Sequence, residues 1–202
     1  MDLIDAVQQN NLDLCKCLIS SENSLINANN LHDAIYWSSV GGHLEIYKFL
    51  ISRGVVDSNI NLTLSIASYW GHIKFCKYLI KHGAYFFNDA LCNASVGGNF
   101  ELCKLLIEEG ANDFNRALYE ASFFAYPDIC KYLVSLGADD FNGALCHASR
   151  GAGLELCKYF VKQGANDFNR ALNNVYCYNI VNISKYLIQK SGEIIKNKDL
   201  LK

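Results

Sequence analysis

Proline is almost absent from this chain, with Pro127 the only one among 202 residues. Because proline interrupts helices and stiffens linkers, its scarcity favours helices and argues against Pro-rich connecting segments. A charge excess is missing too, since 18 lysines and arginines face 20 aspartates and glutamates, for a formal net charge of −2. Nucleic-acid-binding domains usually present a basic patch or stripe, so we expect no nucleic-acid partner.

Long apolar segments are also missing. No stretch approaches the ~18 apolar residues of a membrane span, and Met1–Asp5 has neither the basic nor the apolar region of a signal peptide. We therefore expect no membrane partner and a reducing, cytoplasmic location. In that setting the nine cysteines, an odd number, are predicted to be small buried side chains rather than disulfides.

A unit of 27 residues repeats through most of the chain. A lysine followed by an apolar triplet recurs every 27 residues from Lys77 to Lys185. Upstream, Lys48 lies 29 residues before Lys77, and Lys16 lies 32 residues before Lys48. Two further landmarks recur in phase. Gly-Ala pairs fit helix C-caps, and asparagines are interpreted as the N-caps of the next helix: Asn88, Asn115, Asn142 and Asn169. Each unit is thus predicted to hold an alanine-lined inner helix and an amphipathic outer helix.

The units resemble ankyrin repeats. The segment from Ala34 to Leu50 contains Gly-His-Leu-Glu-Ile-Tyr-Lys-Phe-Leu, and Leu154-Glu155-Leu156-Cys157-Lys158 matches the same part of the family pattern. Family repeats run ~33 residues, so these units are shorter, with the loss placed in the loops between units, such as Ala111–Asn115. The Asn-, Ile-, Lys- and Tyr-rich composition is similar to the ankyrin arrays of giant viruses and protists, and the expected location is a host cytoplasm if the protein is viral.

The resemblance implies an all-α, ankyrin-like solenoid of about seven helix-turn-helix repeats with short inter-repeat loops. We expect one ankyrin repeat domain over residues 1–202. It would comprise an N-terminal capping repeat (1–31), central repeats (32–168), and a C-terminal capping repeat with a tail (169–202). The expected state is a monomer.

In this family the concave face of the inner helices carries recognition, so the resemblance implies a protein partner there. The matching positions are the two residues that follow the Ala-Ala or Ala-Ser pair and the residue one turn earlier, which share a helix face. Bulky aromatic and arginine side chains dominate binding energies at interfaces. The predicted partner-binding residues are Trp37, Tyr69, Trp70, Glu120, Phe123, Phe124, His147, Arg150 and Tyr178. The alternative is that these rings fill space between units, and a ladder of loop phenylalanines is predicted to do that: Phe87, Phe114, Phe141 and Phe168.

No catalytic, cofactor-binding or metal-binding residue is predicted. Five cysteines occupy one position of successive outer helices, ~10 Å apart, too far to share a zinc ion with sulfurs at ~2.3 Å. No nucleophile elbow and no phosphate-binding glycine loop is present. The sequence therefore predicts a non-catalytic protein–protein interaction module or scaffold. A small-ligand-binding or enzymatic protein with an unrecognised pocket stays open as the alternative, and a nucleic-acid binder is less favoured.

Overall fold

The computed structural model describes residues 2–20, 28–178 and 180–200, with side chains except at 28, 176–178 and 193–200. Over these residues the chain forms α-helices joined by short turns and loops, without a strand. The helices described are α1 (Leu3–Gln8), α2 (Leu12–Ser20), α3 (Ala28–Gly41), α4 (Leu44–Ser52), α5 (Ile60–Tyr69), α6 (Ile73–Lys81), α7 (Phe87–Val96), α8 (Phe100–Glu108), α9 (Phe114–Phe123), α10 (Pro127–Ser135), α11 (Phe141–Arg150), α12 (Leu154–Lys162), α13 (Phe168–Tyr178) and α14 (Val181–Leu200).

The helices form antiparallel pairs, as the repeat predicts. The chain divides into two compact units, Met1–Ala111 and Asn112–Lys202, which are described separately. In the first unit the odd-numbered inner helices α1, α3, α5 and α7 pack in a row, each against the outer helix that follows it. In the second unit α9, α11 and α13 pack in the same way, with α10, α12 and α14 as outer helices. The all-α repeat fold is confirmed, whereas the domain boundaries at 31 and 168 stay predictions.

Glycine ends the outer helices, as predicted. Each of these glycines adopts a positive φ, between 84° at Gly54 and 112° at Gly110. The next residue then donates its N–H back to the helix, as Ala84 does to the carbonyl of Leu79 at 3.0 Å. A residue with a Cβ is disfavoured in this left-handed conformation, so the glycine follows from the turn that closes each repeat.

The predicted asparagine N-caps are wrong by two positions. The inner helices begin at Phe87, Phe114, Phe141 and Phe168, which are therefore first-turn residues and not the loop ladder predicted for them. The residue before each phenylalanine is the N-cap. Asp113 accepts from the N–H of Arg116 at 3.3 Å, and Asp140 accepts from the N–H of Gly143 at 2.8 Å. Aspartate caps as well as asparagine, so composition alone did not distinguish the two positions.

Asparagines at the second position of an inner helix instead join neighbouring repeats. At Asn61, Asn115 and Asn142 the side-chain oxygen accepts two backbone N–H groups of the next loop along the chain. For Asn61 these donors are Tyr85 and Phe86, at 2.8 and 3.0 Å. Asn115 and Asn142 form the same pair of bonds in the second unit, at 2.8–3.1 Å. The loop N–H groups have no helical partner, so this oxygen satisfies them.

The cysteine ladder is buried, as predicted. Cys15, Cys76, Cys103, Cys130 and Cys157 are 0% exposed. The last four each lie 3.5–3.7 Å from the hydroxyl of a buried inner-helix serine: Ser68, Ser95, Ser122 and Ser149. Burial raises the pKa of these four thiols to about 11. They are therefore protonated packing groups at neutral pH.

Candidate functional site

One face of α5 presents apolar side chains to solvent. Its buried residues follow a helical period, Thr63, Leu64, Ala67 and Ser68, which leaves the opposite stripe outside. Leu62 is 54% exposed, and Ile66 lies one turn further along the same stripe. Tyr69 and Trp70 follow at the helix end, 40% and 54% exposed. Ile66 is half-buried, so three large apolar residues, Leu62, Tyr69 and Trp70, are exposed on one face, and packing within this unit does not explain their exposure.

A groove of about 270 Å³ lies on one side of Leu62, between α3 and α5. Its walls come from His32, Asp33, Ile35 and Tyr36 of α3, the loop residues Asp57, Ser58 and Asn59, and Leu62, Thr63 and Ile66 of α5. The Tyr36 ring is 47% exposed at its edge. The groove is therefore mostly apolar, with two carboxylates at its margin.

A second groove of about 300 Å³ lies on the other side of Leu62, between α5 and α7. It is lined by Asn59, Asn61, Leu62 and Ser65 of the α5 region and by Phe86, Asp89 and Asn93 of the α7 region. The adjoining Tyr85 and Phe86 rings meet edge-on with centroids 4.8 Å apart, and they are 65% and 47% exposed. We call the surface formed by Tyr36, Leu62, Ile66, Tyr69, Trp70, Tyr85 and Phe86 the inner surface of the first unit.

The loop that carries Tyr85 and Phe86 is not held by a side-chain cap at the start of α7. Phe86 is the N-cap residue of α7 and makes no side-chain capping bond. Its φ and ψ of −80° and 61° match those of the capping Asp113, −82° and 66°. The two bonds to Asn61 hold the loop instead. The backbone at residue 86 is thus shaped for a capping side chain, but an exposed aromatic ring stands there.

The end of α5 is fixed by the following repeat. Asn99 donates its side-chain N–H to the carbonyls of Ser68 at 3.0 Å and Tyr69 at 2.7 Å. Gly97 packs so closely that a Cβ there would overlap the carbonyl oxygen of Tyr69. These contacts hold the backbone beneath the Tyr69 and Trp70 rings, whose centroids lie 5.2 Å apart. The aromatic pair is therefore positioned before any partner arrives.

The second unit has a smaller aromatic group at the equivalent helix end. Phe123 and Phe124 meet edge-on at 4.8 Å, and Phe124 is 43% exposed. The guanidinium of Arg150 lies 5.4 Å from the Phe123 ring centre, within cation–π range. A Cβ at Gly151 would overlap the Phe123 carbonyl, which repeats the arrangement of Gly97 and Tyr69.

Other predicted contact residues are less accessible. His147 is half-buried and stacks on Tyr119 with ring centres 5.0 Å apart, and desolvation lowers its pKa. Trp37 and Glu120 are half-buried as well. The side chain of Tyr178 lies outside the described residues. The predicted positions thus fall into two separate groups, Tyr69 with Trp70 in the first unit and Phe123, Phe124 and Arg150 in the second.

Comparison with known proteins agrees with this repeat geometry. Residues 3–89 match the family model for ankyrin repeats, in three copies. These residues are similar to ankyrin repeats. Over 82% of this chain and 85% of the other, the fold is similar to the crystal structure of the human ASB11 ankyrin repeat domain, with a TM-score of 0.61 and 24% sequence identity. No curated protein sequence matches the chain. The ankyrin repeat fold is therefore shared beyond residue 89.

Sequence reasoning missed several residues of the inner surface. Tyr85 and Phe86 lie in one of the shortened loops, where no contact was predicted, and Tyr36 and Leu62 lie on α3 and α5 at helix positions other than those that the family resemblance implied. A signal was present in the loop. Tyr85-Phe86 stands where later repeats have Asn112-Asp113, Asp139-Asp140 and Asn166-Asp167. Departure from the internal consensus, rather than agreement with it, marks this site.

A third cavity, of about 410 Å³, lies on the outer side of the first unit, beside the longer loop of the 29-residue repeat. It is lined by Tyr47, Ile51, Val55, Val56, Ile60, Tyr78 and His82, with Asp57 accepting the Tyr47 hydroxyl at 2.9 Å. Burial raises the pKa of Tyr47. Among the described residues, no three His, Cys, Asp or Glu side chains form a group that could hold a metal ion. None of the described helices is long and apolar enough to cross a membrane.

Proposed function

We propose that the protein is a non-catalytic protein–protein interaction module whose partner protein binds the inner surface of the first unit. Ankyrin repeats are generally protein-interaction modules. The observation that carries the proposal is the exposed apolar stripe of α5 between two grooves. Apolar patches rimmed by polar groups mark interaction sites on soluble proteins, because solvent exposure of so much apolar surface is otherwise unfavourable.

The residue types support a protein partner. Aromatic side chains bury about 150–250 Å² each and lose little conformational entropy on binding, so they dominate interface energies. Trp70, Tyr69 and Phe86 are all partly exposed and can bury more area against a partner. We assign the main contacts to this surface, with Trp37 at its margin. Phe124 and Arg150 form a secondary contact in the second unit, and the predicted residues Glu120, Phe123, His147 and Tyr178 stay part of the proposal.

The remaining features of the proposal concern chemistry and location. The ladder thiols are protonated, so they offer no nucleophile at neutral pH. Seven of the eight described cysteines are buried and all eight are free, which supports a reducing, cytoplasmic location, in a host cell if the chain is viral. We also propose that the chain acts as a monomer.

Affinity capture with mass spectrometry tests this function. The chain should retain a recurrent protein partner, and the double variant Leu62→Ala, Trp70→Ala should lose it. Leu136→Ala is the matched control, because Leu136 is also an exposed apolar residue but caps the outer helix α10. Circular dichroism should show unchanged helix content in all three proteins. Equal retention by the double variant and the control would rule out this surface.

The outer cavity supports one alternative, the binding of a small ligand. Its volume of about 410 Å³ lies within the usual ligand-pocket range of about 300–1,000 Å³. Under this alternative a small molecule would raise the melting temperature of the wild-type chain, and Val55→Trp, which fills the cavity, would abolish the shift. A ligand screen without such a shift would leave the protein partner as the only supported function.

A further inference from the structure

The outer helices share a charge pattern that α6 breaks. In five of them an acid in the first turn precedes the recurrent lysine by three residues: Asp13, Glu45, Glu101, Asp128 and Glu155. In α2, α4, α8 and α12 the acid and the lysine form an ion pair, with N–O distances of 2.7–3.3 Å. Helix α6 has Lys74 at this position, so Lys77 has no acid one turn before it.

Three lysines therefore follow one another along α6. Lys74, Lys77 and Lys81 are spaced by three and four residues, so they share one face of the helix, and we call them the lysine stripe. All three are exposed, and none forms an ion pair with a residue that the structure describes. Helix α6 contains no acid, whereas α4 contains one and α8 contains two.

The lysine stripe does not favour the folded helix. Lys74 lies in the first turn of α6, where the positive end of the helix dipole disfavours a cation. Lysines three and four residues apart also repel each other, and the ion pair that an acid would form with Lys77 is lost. The reversal of charge at residue 74 thus gives no folding benefit within α6, which points to a role in binding.

The stripe lies beside the outer cavity of about 410 Å³. Tyr78 and His82, each one residue after a lysine of the stripe, line this cavity. Ile51 and the exposed Val56 add apolar surface to its lining. The Asp57 carboxylate also lines the cavity, so an acidic group would be repelled there while an apolar side chain would be accepted.

We propose that the outer side of the first unit is a second binding surface, which takes a short acidic segment of a partner protein. Aspartate or glutamate side chains of the segment pair with the lysine stripe, and an apolar side chain next to them enters the outer cavity. Between Lys74 and Lys81 the helix rises about 10 Å, at 1.5 Å per residue. Four consecutive residues of an extended segment cover the same length, at about 3.3 Å per step. This surface is separate from the inner surface and goes beyond the function proposed above.

The charges around the stripe favour a narrow occupant. Exposed Glu45, Glu101 and Glu108 lie on α4 and α8, the outer helices of the adjacent repeats. A nucleic-acid strand or an anionic membrane surface extends well beyond one helix and would be repelled by these carboxylates. A short acidic peptide contacts the stripe without covering its neighbours, so these surroundings favour a peptide.

A random twelve-residue peptide library displayed on phage, selected against the full chain at low salt, tests the proposal. Selected peptides should be rich in aspartate and glutamate and should carry a large apolar residue. Synthetic copies should lose about five- to tenfold in affinity with Lys74→Gln, Lys77→Gln, because two exposed ion pairs are removed. Added salt should weaken their binding to the wild type. Val55→Trp, which fills the cavity, should also weaken it.

Two further variants separate the stripe from net charge. Lys16→Gln, Lys104→Gln changes the net charge equally on other outer helices, at lysines that already pair with acids, and should bind the peptides as the wild type does. Lys74→Glu restores the acid of the other repeats and should remove peptide binding. The same variant should raise the melting temperature by about 1–3 °C, because the helix dipole and the pair with Lys77 both favour an acid there.

The failures are distinguishable. Neutral or basic peptides, or peptides that bind Lys74→Gln, Lys77→Gln as tightly as the wild type, overturn the acidic segment. Equal weakening by the control variant overturns it as well, because the effect would then be one of net charge. Leu62→Ala, Trp70→Ala should leave peptide binding unchanged, and a loss in that variant alone would assign the peptides to the inner surface. Retention of a single-stranded oligonucleotide or of phosphatidylserine vesicles through Lys74 and Lys77, without a selected acidic peptide, overturns the peptide in favour of a polyanion.

Discussion

Phe86 occupies the N-cap position of α7 but forms no side-chain capping bond. Two different substitutions at this position allow its effect on stability to be measured separately from its effect on binding. Inner helices α5, α9 and α11 have side-chain caps from Asn59, Asp113 and Asp140, whereas α7 has none from Phe86. We consider Phe86→Asn and Phe86→Ala. Both remove the same exposed ring, so the loss of its packing cancels when the two variants are compared. Asparagine is chosen over aspartate because the carboxylate of Asp89 follows three residues later.

The expected difference comes from one hydrogen bond. The φ and ψ at residue 86 already match those of Asp113 within a few degrees, so an asparagine can accept from the N–H of residue 89 without backbone movement. Capping by Asn or Asp rather than Ala is worth about 0.5–2 kcal/mol, typically ~1. The unfolding free energy of the Phe86→Asn variant should therefore exceed that of the Phe86→Ala variant by about 1 kcal/mol. For a chain of this size, that difference corresponds to about 2–4 °C in melting temperature.

Urea titration and thermal melts followed by circular dichroism measure this difference, and affinity capture of the partner protein with the same samples measures binding. Both variants should lose affinity equally, since both lack the ring. The reciprocal control is Asp167→Ala, which removes the bond from the N–H of Arg170 at 3.2 Å and should cost about 1 kcal/mol. Equal stability of the two Phe86 variants, or binding restored by asparagine, would refute the reasoning.

Four other expectations follow from the repeat geometry. Asn61→Ala leaves the N–H groups of Tyr85 and Phe86 without their acceptor, so urea titration should show a loss of about 1–3 kcal/mol with weaker partner binding; Asn61→Asp keeps an acceptor oxygen and should restore both. Gly97→Ala should cost about 1–3 kcal/mol because its Cβ overlaps a carbonyl, whereas Gly192→Ala, with open space around it, should be neutral or stabilising. Alkylation at pH 8 followed by peptide mass spectrometry should modify exposed Cys17 before the buried ladder thiols. The pKa of four ladder thiols is raised to about 11 in the folded chain, so unfolded chains ionise first as the pH rises: Cys76, Cys103, Cys130 and Cys157. The unfolding free energy should therefore fall as pH rises from about 9 towards 11. An unfolding free energy that stays constant over this range would contradict the burial of these thiols.

The helix pairs could be predicted because the repeat supplies several independent signals in one phase. Glycine closes each outer helix through a left-handed turn that other residues avoid, so its position has one structural meaning. The helix starts were misplaced because Asn and Asp are equally good caps and both occur near the boundary. The bonds from Asn61 and Asn115 to the next loop span 24 and 25 residues, and such contacts leave no local pattern in a single sequence.

The site was predictable only in part for a related reason. Tyr69 and Trp70 lie at positions that the family resemblance implied for recognition, and both are exposed in the structure. His147 lies at another of these positions but stacks on Tyr119, since the neighbouring repeat supplies a ring at the right distance. Leu62 and Phe86 are visible only when each repeat is compared with the others. Whether one of these side chains is buried depends on the side chains that the neighbouring repeat places against it. The position of a residue within its own repeat does not show which side chains those are.

Three exceptions to the repeat lie on one surface of the first unit, and this argues that they serve binding rather than folding. Phe86 replaces a capping residue, and Leu62 stands at the repeat position that Asp33 and Asp89 occupy in the adjacent repeats. Trp70 stands where Gly97 and Gly151 pack against the preceding repeat's backbone. A cap, a charge and a close-packing glycine each favour the folded repeat, so their replacement by exposed apolar side chains gives no folding benefit that the unit itself reveals. All three replacements lie on or beside α5. Under the proposed function, a partner that covers the α5 stripe would supply the missing burial, so substitutions there should affect binding far more than stability.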